Sequence, residues 1–120
     1  GIDDTRYGIV EDVGWTGETL NDTVDGELAD LSEDMQARFA RIAELIEAIG
    51  LPNVREPHVK HIRDSIWEIR LKGRAGIARA LYVTATGKRV VVVRVFAKKT
   101  QKTPNTEIEI ARERAKELEK

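Results

Sequence analysis

The segment that most constrains the fold of this chain is residues 89–104, RVVVVRVFAKKTQKTP, in which an uninterrupted valine run passes directly into lysines and ends at a proline. Valine is branched at Cβ and favours the pleated, buried surface of a sheet, so residues 90–96 are predicted to form a strand. Lys98, Lys99 and Lys102 cannot follow that strand into an apolar core without a large desolvation cost. The segment therefore predicts a buried sheet with a cationic end.

Charge is distributed unevenly along the chain, although the net charge is only −1. Residues 1–54 hold three Lys or Arg against 13 Asp or Glu, a balance of −10, whereas residues 55–104 hold 13 against three, a balance of +10. Residues 105–120 are close to neutral, with four against five. A basic half of this density is typical of a chain that binds a polyanion on one face, and the alternative is that the two halves neutralise each other across the fold.

Length and composition exclude several classes of protein. A chain of 120 residues can bury one modest core, which predicts a single domain. With no cysteine and only two histidines, the chain is expected to hold neither a disulfide framework nor a common metal cage, and no cofactor is predicted. No apolar run approaches the ~20 residues that a membrane span needs, and no signal peptide opens the chain. The sequence predicts a soluble, cytoplasmic protein.

The beginning of the chain differs in character from the rest. Residues 1–17 are rich in Gly and Asp and show little periodicity, so they are predicted to be flexible or to include a short edge strand near residues 9–13. The single domain is predicted to occupy residues 18–120.

Two amphipathic helices are predicted next. The first has apolar residues at helical spacing, with Thr16 or Thr19 as the N-cap: Leu20, Val24, Leu28 and Leu31. The second follows Ser32 as N-cap, carries an apolar stripe from Met35 to Ile49, and ends at Gly50 and Pro52. The short link between the two stripes predicts an antiparallel helical hairpin.

A basic, exposed connection over residues 51–64 is predicted to lead into three strands, at residues 66–71, 77–84 and 89–96. The turns between them contain glycine and are short, which forces an antiparallel meander. Thr103 as N-cap and Pro104 in the first turn predict a final helix through Glu119. The fold class is therefore predicted as α+β, with an N-terminal helical hairpin, a three- or four-stranded antiparallel sheet and a C-terminal helix.

Arginines lie inside the predicted strands, where they are unusual unless they pair or face a ligand. Strict alternation along the last strand places Val91, Val93 and Val95 on one side and Val90, Val92, Arg94 and Phe96 on the other. Arg70, Arg79 and Arg94, taken with the lysines that follow the last strand, predict a phosphate-binding concavity. Ion pairing with the acidic helices is the alternative for each arginine. Trp67, Tyr82 and Phe96 could stack on a base, with core packing as the alternative.

The order of elements, together with IWEIR (66–70), GIARALYV (76–83) and VFAKKTQKTP (95–104), resembles the RelE/HigB toxins of bacterial type II toxin–antitoxin modules, in their phage-derived Gp49-like branch. The resemblance covers residues 19–118. It implies a RelE-like fold and a metal-independent, ribosome-dependent mRNA endoribonuclease, neutralised by a cognate helix-turn-helix antitoxin. In this family basic residues on the concave sheet face position the RNA, so that a ribose 2′-OH attacks the adjacent phosphate. A ParE-like inhibitor of DNA gyrase and a non-catalytic RNA- or ribosome-binding module are the alternatives.

Carried over residue by residue, the resemblance implies catalytic roles for four cations: Arg70, Arg79, Lys98 and Lys99. Arg79 and Lys99 would stabilise the charge that develops at phosphorus, and Lys98 or Lys102 would protonate the leaving 5′ oxygen. RNA-binding roles are predicted for Lys60, His61, Arg94, Phe96 and Lys102. No carboxylate is expected within this set, which leaves the general base open.

His61 is a candidate base or acid because an imidazole titrates in the right range, and an ordinary surface histidine is the alternative. The chain departs from the family pattern after Pro104. Basic residues are common there in the family, whereas this chain has Asn105 and Thr106. The start of the last helix therefore lacks the basic residues that would make the ribosomal contact in the family.

Overall fold

The computed structural model describes residues 14–54, 59–98 and 102–119, so the edge strand predicted near residues 9–13 lies outside the described residues. The helices and strands follow in the order β1 (Thr16–Thr19), α1 (Asp22–Ala29), α2 (Glu33–Ile49), β2 (Val59–Arg63), β3 (Ile66–Gly73), β4 (Gly76–Ala85), β5 (Arg89–Lys98) and α3 (Asn105–Ala115). Short 3-10 helices occupy Leu51–Asn53 and Lys116–Glu119. This order confirms the α+β class and both predicted N-terminal helices.

The described strands form one sheet in the order β1-β5-β4-β3-β2. The strands from β2 to β5 are antiparallel neighbours, as predicted, but β1 pairs with β5 in parallel, which makes the sheet mixed. The prediction of three or four strands was therefore wrong, because the sheet has five strands within the described residues. β1 also begins before residue 18, where the domain was predicted to start.

The two unpredicted strands have little strand character of their own. β2 lies in the segment interpreted as an exposed basic connection, and it is fixed to β3 by a tight turn in which Asp64 adopts a positive φ of 52°. Val59 is buried and Ile62 packs into the core, whereas Lys60 and Arg63 remain exposed. β1 has the sequence TGET, and its pairing with residues 89–92 alone makes it a strand.

Helices cover both faces of the sheet. On one face α2 lies against β3 and β1, and the core there includes Ile42, Ile46, Ile69 and Tyr82. On the other face α3 packs through Ile108 and Ala111 onto side chains of β3, β4 and β5: Ile66, Leu81, Val83, Val91 and Val93. α1 lies beside β5. The face predicted to form a concave cationic surface is therefore partly covered by a helix.

A β-bulge interrupts β5 and corrects the predicted alternation. Leu81 pairs with Arg94 and Tyr82 pairs with Val92, so Val93 is an additional residue on β5. A bulge shifts the alternation by one residue. Val93 consequently packs into the same core as Phe96, although strict alternation predicted opposite sides for these two residues.

The side chains at the helix starts differ from the predicted caps. Asn21, rather than Thr16 or Thr19, caps α1, and its Oδ1 accepts a hydrogen bond from Val24 N at 3.1 Å. Ser32 is the N-cap residue of α2, as predicted, but its hydroxyl donates to Asp34 Oδ1 at 2.5 Å instead of capping the helix.

At α3 the N-cap position is taken by Pro104, which has no side-chain hydrogen bond to offer. The hydroxyl of Thr103, the predicted cap, is instead hydrogen-bonded to Glu68. The α-helical part of the final helix ends at Ala115, and the remaining turn to Glu119 is a 3-10 helix.

Two glycines should respond in opposite directions to the same substitution. A Cβ at Gly26, in the interior of α1, would meet nothing within 4 Å, so Gly26→Ala should raise the free energy of unfolding by about 0.5–1 kcal/mol through lower backbone entropy of the unfolded chain. A Cβ at Gly73 would lie 2.8 Å from Met35 Cγ, so Gly73→Ala should lower it by about 1–3 kcal/mol. Urea unfolding of the two variants checks this, and equal effects would contradict it.

Within the described ranges no helix is both long and apolar enough to span a membrane.

Candidate functional site

A cleft of about 630 Å³ lies between β2 and the start of α3, and we call it the edge cleft. The polar side chains that line it are, for the most part, basic: Lys60, His61, Arg63, Arg79 and Lys102, with Thr103 and Asn105. Lys60, Arg63 and Lys102 are exposed at its rim, whereas Arg79 is buried at its floor. No Asp or Glu lines the edge cleft among the residues that the structure describes, so the charged side chains of its described lining are all basic.

A buried carboxylate holds the floor of the edge cleft. Glu68 on β3 is 0% exposed and Arg79 on β4 is 3% exposed, and the guanidinium forms a short ion pair with Glu68 Oε2. Thr103 Oγ1 donates to Glu68 Oε1 at 2.7 Å and accepts from Arg79 Nη1 at 3.3 Å. The expectation that no carboxylate lies among the basic residues was wrong. The alternation of β3 could have revealed it, since Glu68 shares a face with Arg70.

Arg79 also lies at the centre of a row of side chains that crosses the sheet. In register, Arg70 on β3 is opposite Arg79, and Arg79 is opposite Phe96 on β5. Arg70 is 37% exposed, and its Nε is 3.9 Å from Glu68 Oε2. Phe96 packs against the core beneath α3. The structure therefore places Arg70 and Phe96 beside Arg79 on the sheet, outside the described lining of the edge cleft.

The hydrogen bond of His61 determines which ring nitrogen can accept a proton. His61 Nε2 lies 2.7 Å from the carbonyl oxygen of Asp64. A carbonyl oxygen only accepts, so Nε2 must carry the proton of this bond. In the neutral ring Nδ1 is then the proton-accepting atom, which gives His61 the chemical capacity of a general base.

His61 also lines a second, more apolar cavity of about 510 Å³, on the α2 side of the sheet edge, with Trp67 and Tyr82. The centroid of its ring lies 5.0 Å from that of Trp67, with the planes tilted by 56°. Trp67 is 38% exposed, whereas Tyr82 is buried, and burial raises the pKa of the Tyr82 hydroxyl. Of the three aromatic residues predicted as stacking candidates, Trp67 is thus the most accessible.

Arg94 lies apart from the edge cleft, in an ionic network that joins α1, β5 and α3. Arg94 Nε lies 2.5 Å from Glu107 Oε1, and its Nη1 lies 2.6 Å from Glu27 Oε2. The hydrogen bond to Glu107 and the charge of Glu27 raise the pKa of Arg94 despite its partial burial. Arg114 is bound to the same Glu27, at 2.8 Å. The alternative interpretation, pairing with the acidic helices, therefore describes the surroundings of Arg94.

The polar side chains of the Glu27 network also bind the backbone at the bulge. Arg114 Nη1 donates to the carbonyl oxygen of Val93 at 2.9 Å, and Val95 N donates to Glu27 Oε1 at 3.0 Å. These two backbone groups lie beyond Val92, where the pairing with β1 ends. The network thus supplies hydrogen-bond partners to backbone groups of β5 that have no partner on β1.

The lysines at the end of β5 are described only in part. Lys98 is the last residue of β5 and is paired with Ile77, whereas Lys99 lies outside the described residues. Lys102 lines the edge cleft. Asn105, which departs from the family pattern, lies at the rim and accepts a hydrogen bond from Arg63 Nη2 at 2.9 Å.

Sequence reasoning thus identified four residues that the structure brings together in the edge cleft: Lys60, His61, Arg79 and Lys102. It missed Arg63, Glu68 and Thr103. Arg63 belongs to a strand that was interpreted as a connection, and Thr103 was assigned to helix capping.

Comparisons with known proteins agree with this architecture. The sequence model of the family described as "Phage derived protein Gp49-like (DUF891)" matches residues 26–116. Among curated proteins, none matches the sequence of this chain. A similar solved structure is the crystal structure of the archaeal RelE–RelB complex from Pyrococcus horikoshii OT3, with a TM-score of 0.51 and 19% sequence identity over 71% of this chain and 96% of that chain. At this identity the likeness concerns the fold, and it confirms the RelE-like fold that the resemblance implied.

Proposed function

The chain belongs to the family of Gp49-like phage-derived proteins and has a RelE-like fold, and on this premise we propose that it is the toxin of a type II toxin–antitoxin pair. We further propose that it is a ribosome-dependent mRNA endoribonuclease. The observation that carries this proposal is the edge cleft, whose exposed Lys60, Arg63 and Lys102 surround the buried guanidinium of Arg79 without a carboxylate in its described lining. Such a site favours a phosphodiester over any neutral ligand.

RNA cleavage by the ribose 2′-OH makes three demands on the site. The 2′-OH must lose its proton, the extra negative charge at phosphorus must be stabilised, and the departing 5′ oxygen must gain a proton. In this proposal His61 accepts the proton through Nδ1, because its Nε2 is bound to Asp64 O. Lys60 and Lys102 contact the phosphate, and either ammonium can protonate the leaving oxygen. The products are a 2′,3′-cyclic phosphate and a free 5′-OH.

Arg79 contributes the positive end of a fixed ion pair at the floor of the cleft, with Glu68 as its negative end. Its ion pair with Glu68 holds the guanidinium in one place, which costs no reorganisation when charge develops on the substrate. Arg70 extends the basic surface beside it. Lys98 and Lys99 remain predicted phosphate contacts at the exit of β5, and Phe96 remains a predicted RNA contact. For Arg94 we propose a structural role, since two carboxylates already hold its guanidinium.

The burial of Arg79 favours one alternative, a non-catalytic RNA- or ribosome-binding module. Arg79 is 3% exposed and its guanidinium is bound to Glu68, so it offers a substrate very little contact surface. A module of this kind would bind RNA in a salt-sensitive way and produce no cleaved ends. The ParE-like alternative predicts damage to DNA through gyrase instead.

The experiment that tests the proposal is cleavage of a message in a translating extract, with the ends mapped by primer extension. Wild-type protein should cut the message when ribosomes are present and cut free RNA poorly. Lys60→Gln should slow cleavage by roughly 10-fold, because it removes one direct phosphate contact worth about 1.4 kcal/mol. Lys116→Gln is the matched control, because Lys116 is an exposed lysine outside the edge cleft that pairs with Glu113, and it should cut like wild type.

Two outcomes would overturn the nuclease proposal. Intact message in the presence of ribosome-bound protein would leave the binding module as the function. DNA breaks that depend on gyrase and persist in Lys60→Gln would support the ParE-like inhibitor.

We also propose a cognate helix-turn-helix antitoxin as the partner, with an acidic segment that covers the basic face. Co-expression with the antitoxin should relieve growth arrest, and the two chains should purify together.

A further inference from the structure

A second basic surface lies where the β3–β4 turn meets α2. Arg38 and Arg41 are one turn apart on α2, and Lys72 and Arg74 lie on the hairpin opposite them. These four exposed side chains line a cleft of about 710 Å³, and we call them the hairpin patch. The hairpin patch shares no described lining residue with the edge cleft.

Within the described part of the chain, no carboxylate forms an ion pair with any of the four cations of the hairpin patch, whereas Arg89, Arg94, Arg112 and Arg114 each pair with a glutamate or aspartate. One carboxylate, Asp34, does line the cleft. Its oxygens are occupied by Ser32 Oγ at 2.5 Å, Met35 N at 3.0 Å and Arg74 N at 2.7 Å.

Backbone contact, not charge attraction, brings the four cations together. Gly73 approaches α2 so closely that a Cβ there would lie 2.8 Å from Met35 Cγ and 2.9 Å from Asp34 Oδ2. Asp34 then fastens the turn by accepting the hydrogen bond from Arg74 N. The hairpin tip is therefore docked on the first turn of α2 at a fixed distance.

This docking gathers like charges from two parts of the sequence. Arg38 and Arg41 are the only Lys or Arg residues between positions 14 and 54, a region that is otherwise strongly acidic. Like charges held together repel and destabilise the folded chain, and an anionic ligand removes that penalty. A neutral or cationic ligand would leave the repulsion in place.

We propose that the hairpin patch binds the phosphate backbone of RNA as a second contact, separate from the edge cleft. The choice of RNA as the polyanion rests on the proposed function. Arginine offers a planar fork to phosphate oxygens and lysine a point charge, and neither reads a base in this arrangement, so binding is independent of sequence. Arg70, half-buried on β3, lies two residues before Lys72 and opposite Arg79 in the sheet, between the hairpin patch and the floor of the edge cleft.

The test is the salt dependence of binding to a fluorescently labelled RNA duplex, followed by anisotropy. Two double variants remove the charges in pairs, Arg38→Gln with Arg41→Gln, and Lys72→Gln with Arg74→Gln. Each should weaken binding at low salt by at least 10-fold and reduce the slope of log K against log salt by about 1.4 to 1.8, because each of the two phosphate contacts contributes about 0.7 to 0.9. The control double variant, Arg112→Gln with Lys116→Gln, removes the same charge from paired, exposed sites and should reduce the slope much less.

The outcomes separate this inference from the proposed nuclease activity. If wild type cuts no message but the patch variants still lose their salt slope relative to the control, the nuclease proposal fails and the RNA-binding patch stands. If wild type cuts message and the patch variants match the control in affinity and slope, the inference is overturned. Loss of antitoxin co-purification with unchanged RNA binding would also overturn it, because the patch would then serve a protein partner.

Discussion

Replacing Glu68 with alanine should lower the free energy of unfolding by about 3–5 kcal/mol, because it leaves the guanidinium of Arg79 buried without a counter-charge. Both side chains are enclosed, and Thr103 depends on the same carboxylate for its hydrogen bond. Urea unfolding at neutral pH measures the loss. The pair Glu68→Leu with Arg79→Met should recover most of it, since two apolar side chains of similar volume need no partner in the core.

The matched control is Glu18→Ala. It breaks the pair with Arg89 at the start of β5, whose two side chains are 38% and 41% exposed. Because solvent screens that pair, Glu18→Ala should lower the free energy of unfolding much less than Glu68→Ala does. Equal losses in the two variants would show that the floor of the edge cleft contributes no more than a surface contact. A practical consequence is that Arg79 variants inform on cleavage only after their folding has been measured.

Acid should destabilise the protein progressively below about pH 4.5, in part through Glu27. Burial raises the pKa of Glu27, but the hydrogen bonds from Arg114 and Val95 N and the charge of Arg94 outweigh burial and hold the pKa below its usual value of 4.5. The unfolded chain therefore takes up this proton at a higher pH than the folded chain. The contribution of Glu27 is fully present above the unfolded pKa and is lost as the pH falls through the folded pKa. The pKa values of Glu18 and Asp34 are lowered as well, which adds in the same direction.

Glu27→Gln tests this explanation. The amide cannot neutralise Arg94 and Arg114, so the free energy of unfolding at pH 7 should fall by about 1–3 kcal/mol. Unfolding followed between pH 7 and pH 3 should also show a shallower decline than wild type, because one titrating group is missing. Glu109→Gln, in an exposed pair on α3, should leave the stability at pH 7 unchanged within error. If the stability of Glu27→Gln declined with pH as steeply as that of wild type, Glu27 would not be a cause of the acid sensitivity.

Elements whose own residues define their burial could be predicted from the sequence. The stripe from Met35 to Ile49 specifies α2, because its apolar side chains recur at the helical period. The uninterrupted valine run specifies β5, because a short continuous run of β-branched residues is typical of a strand that is buried on both faces. β1 and β2 could not be predicted in this way. Both are short segments with mostly polar or basic residues. They form strands because β5 and β3 provide hydrogen-bond partners for their backbones. The bulge could not be predicted either, because Glu27 and Arg114, which bind the backbone there, lie far from it in sequence.

The candidate site shows a similar division. Residue type was enough to select Lys60, His61, Arg79 and Lys102, which line one cleft. Residue type could not separate an arginine that faces a ligand from one that holds a helix, because that depends on partners in other elements. Arg94 is the clear case, with Glu27 on α1 and Glu107 on α3.

The bulge in β5 also limits how homologous chains can diverge. Val93 is an inserted residue, and its carbonyl oxygen and the nearby N–H of Val95 are bound by Arg114 and Glu27. In a homologue with one residue fewer in this strand the edge beyond β1 would stay open, but its carbonyl and N–H groups would lie at different positions, which Glu27 and Arg114 would no longer match. Deletion in β5 and replacement of both charged residues should therefore occur together, so that positions in α1, β5 and α3 change as one evolutionary unit.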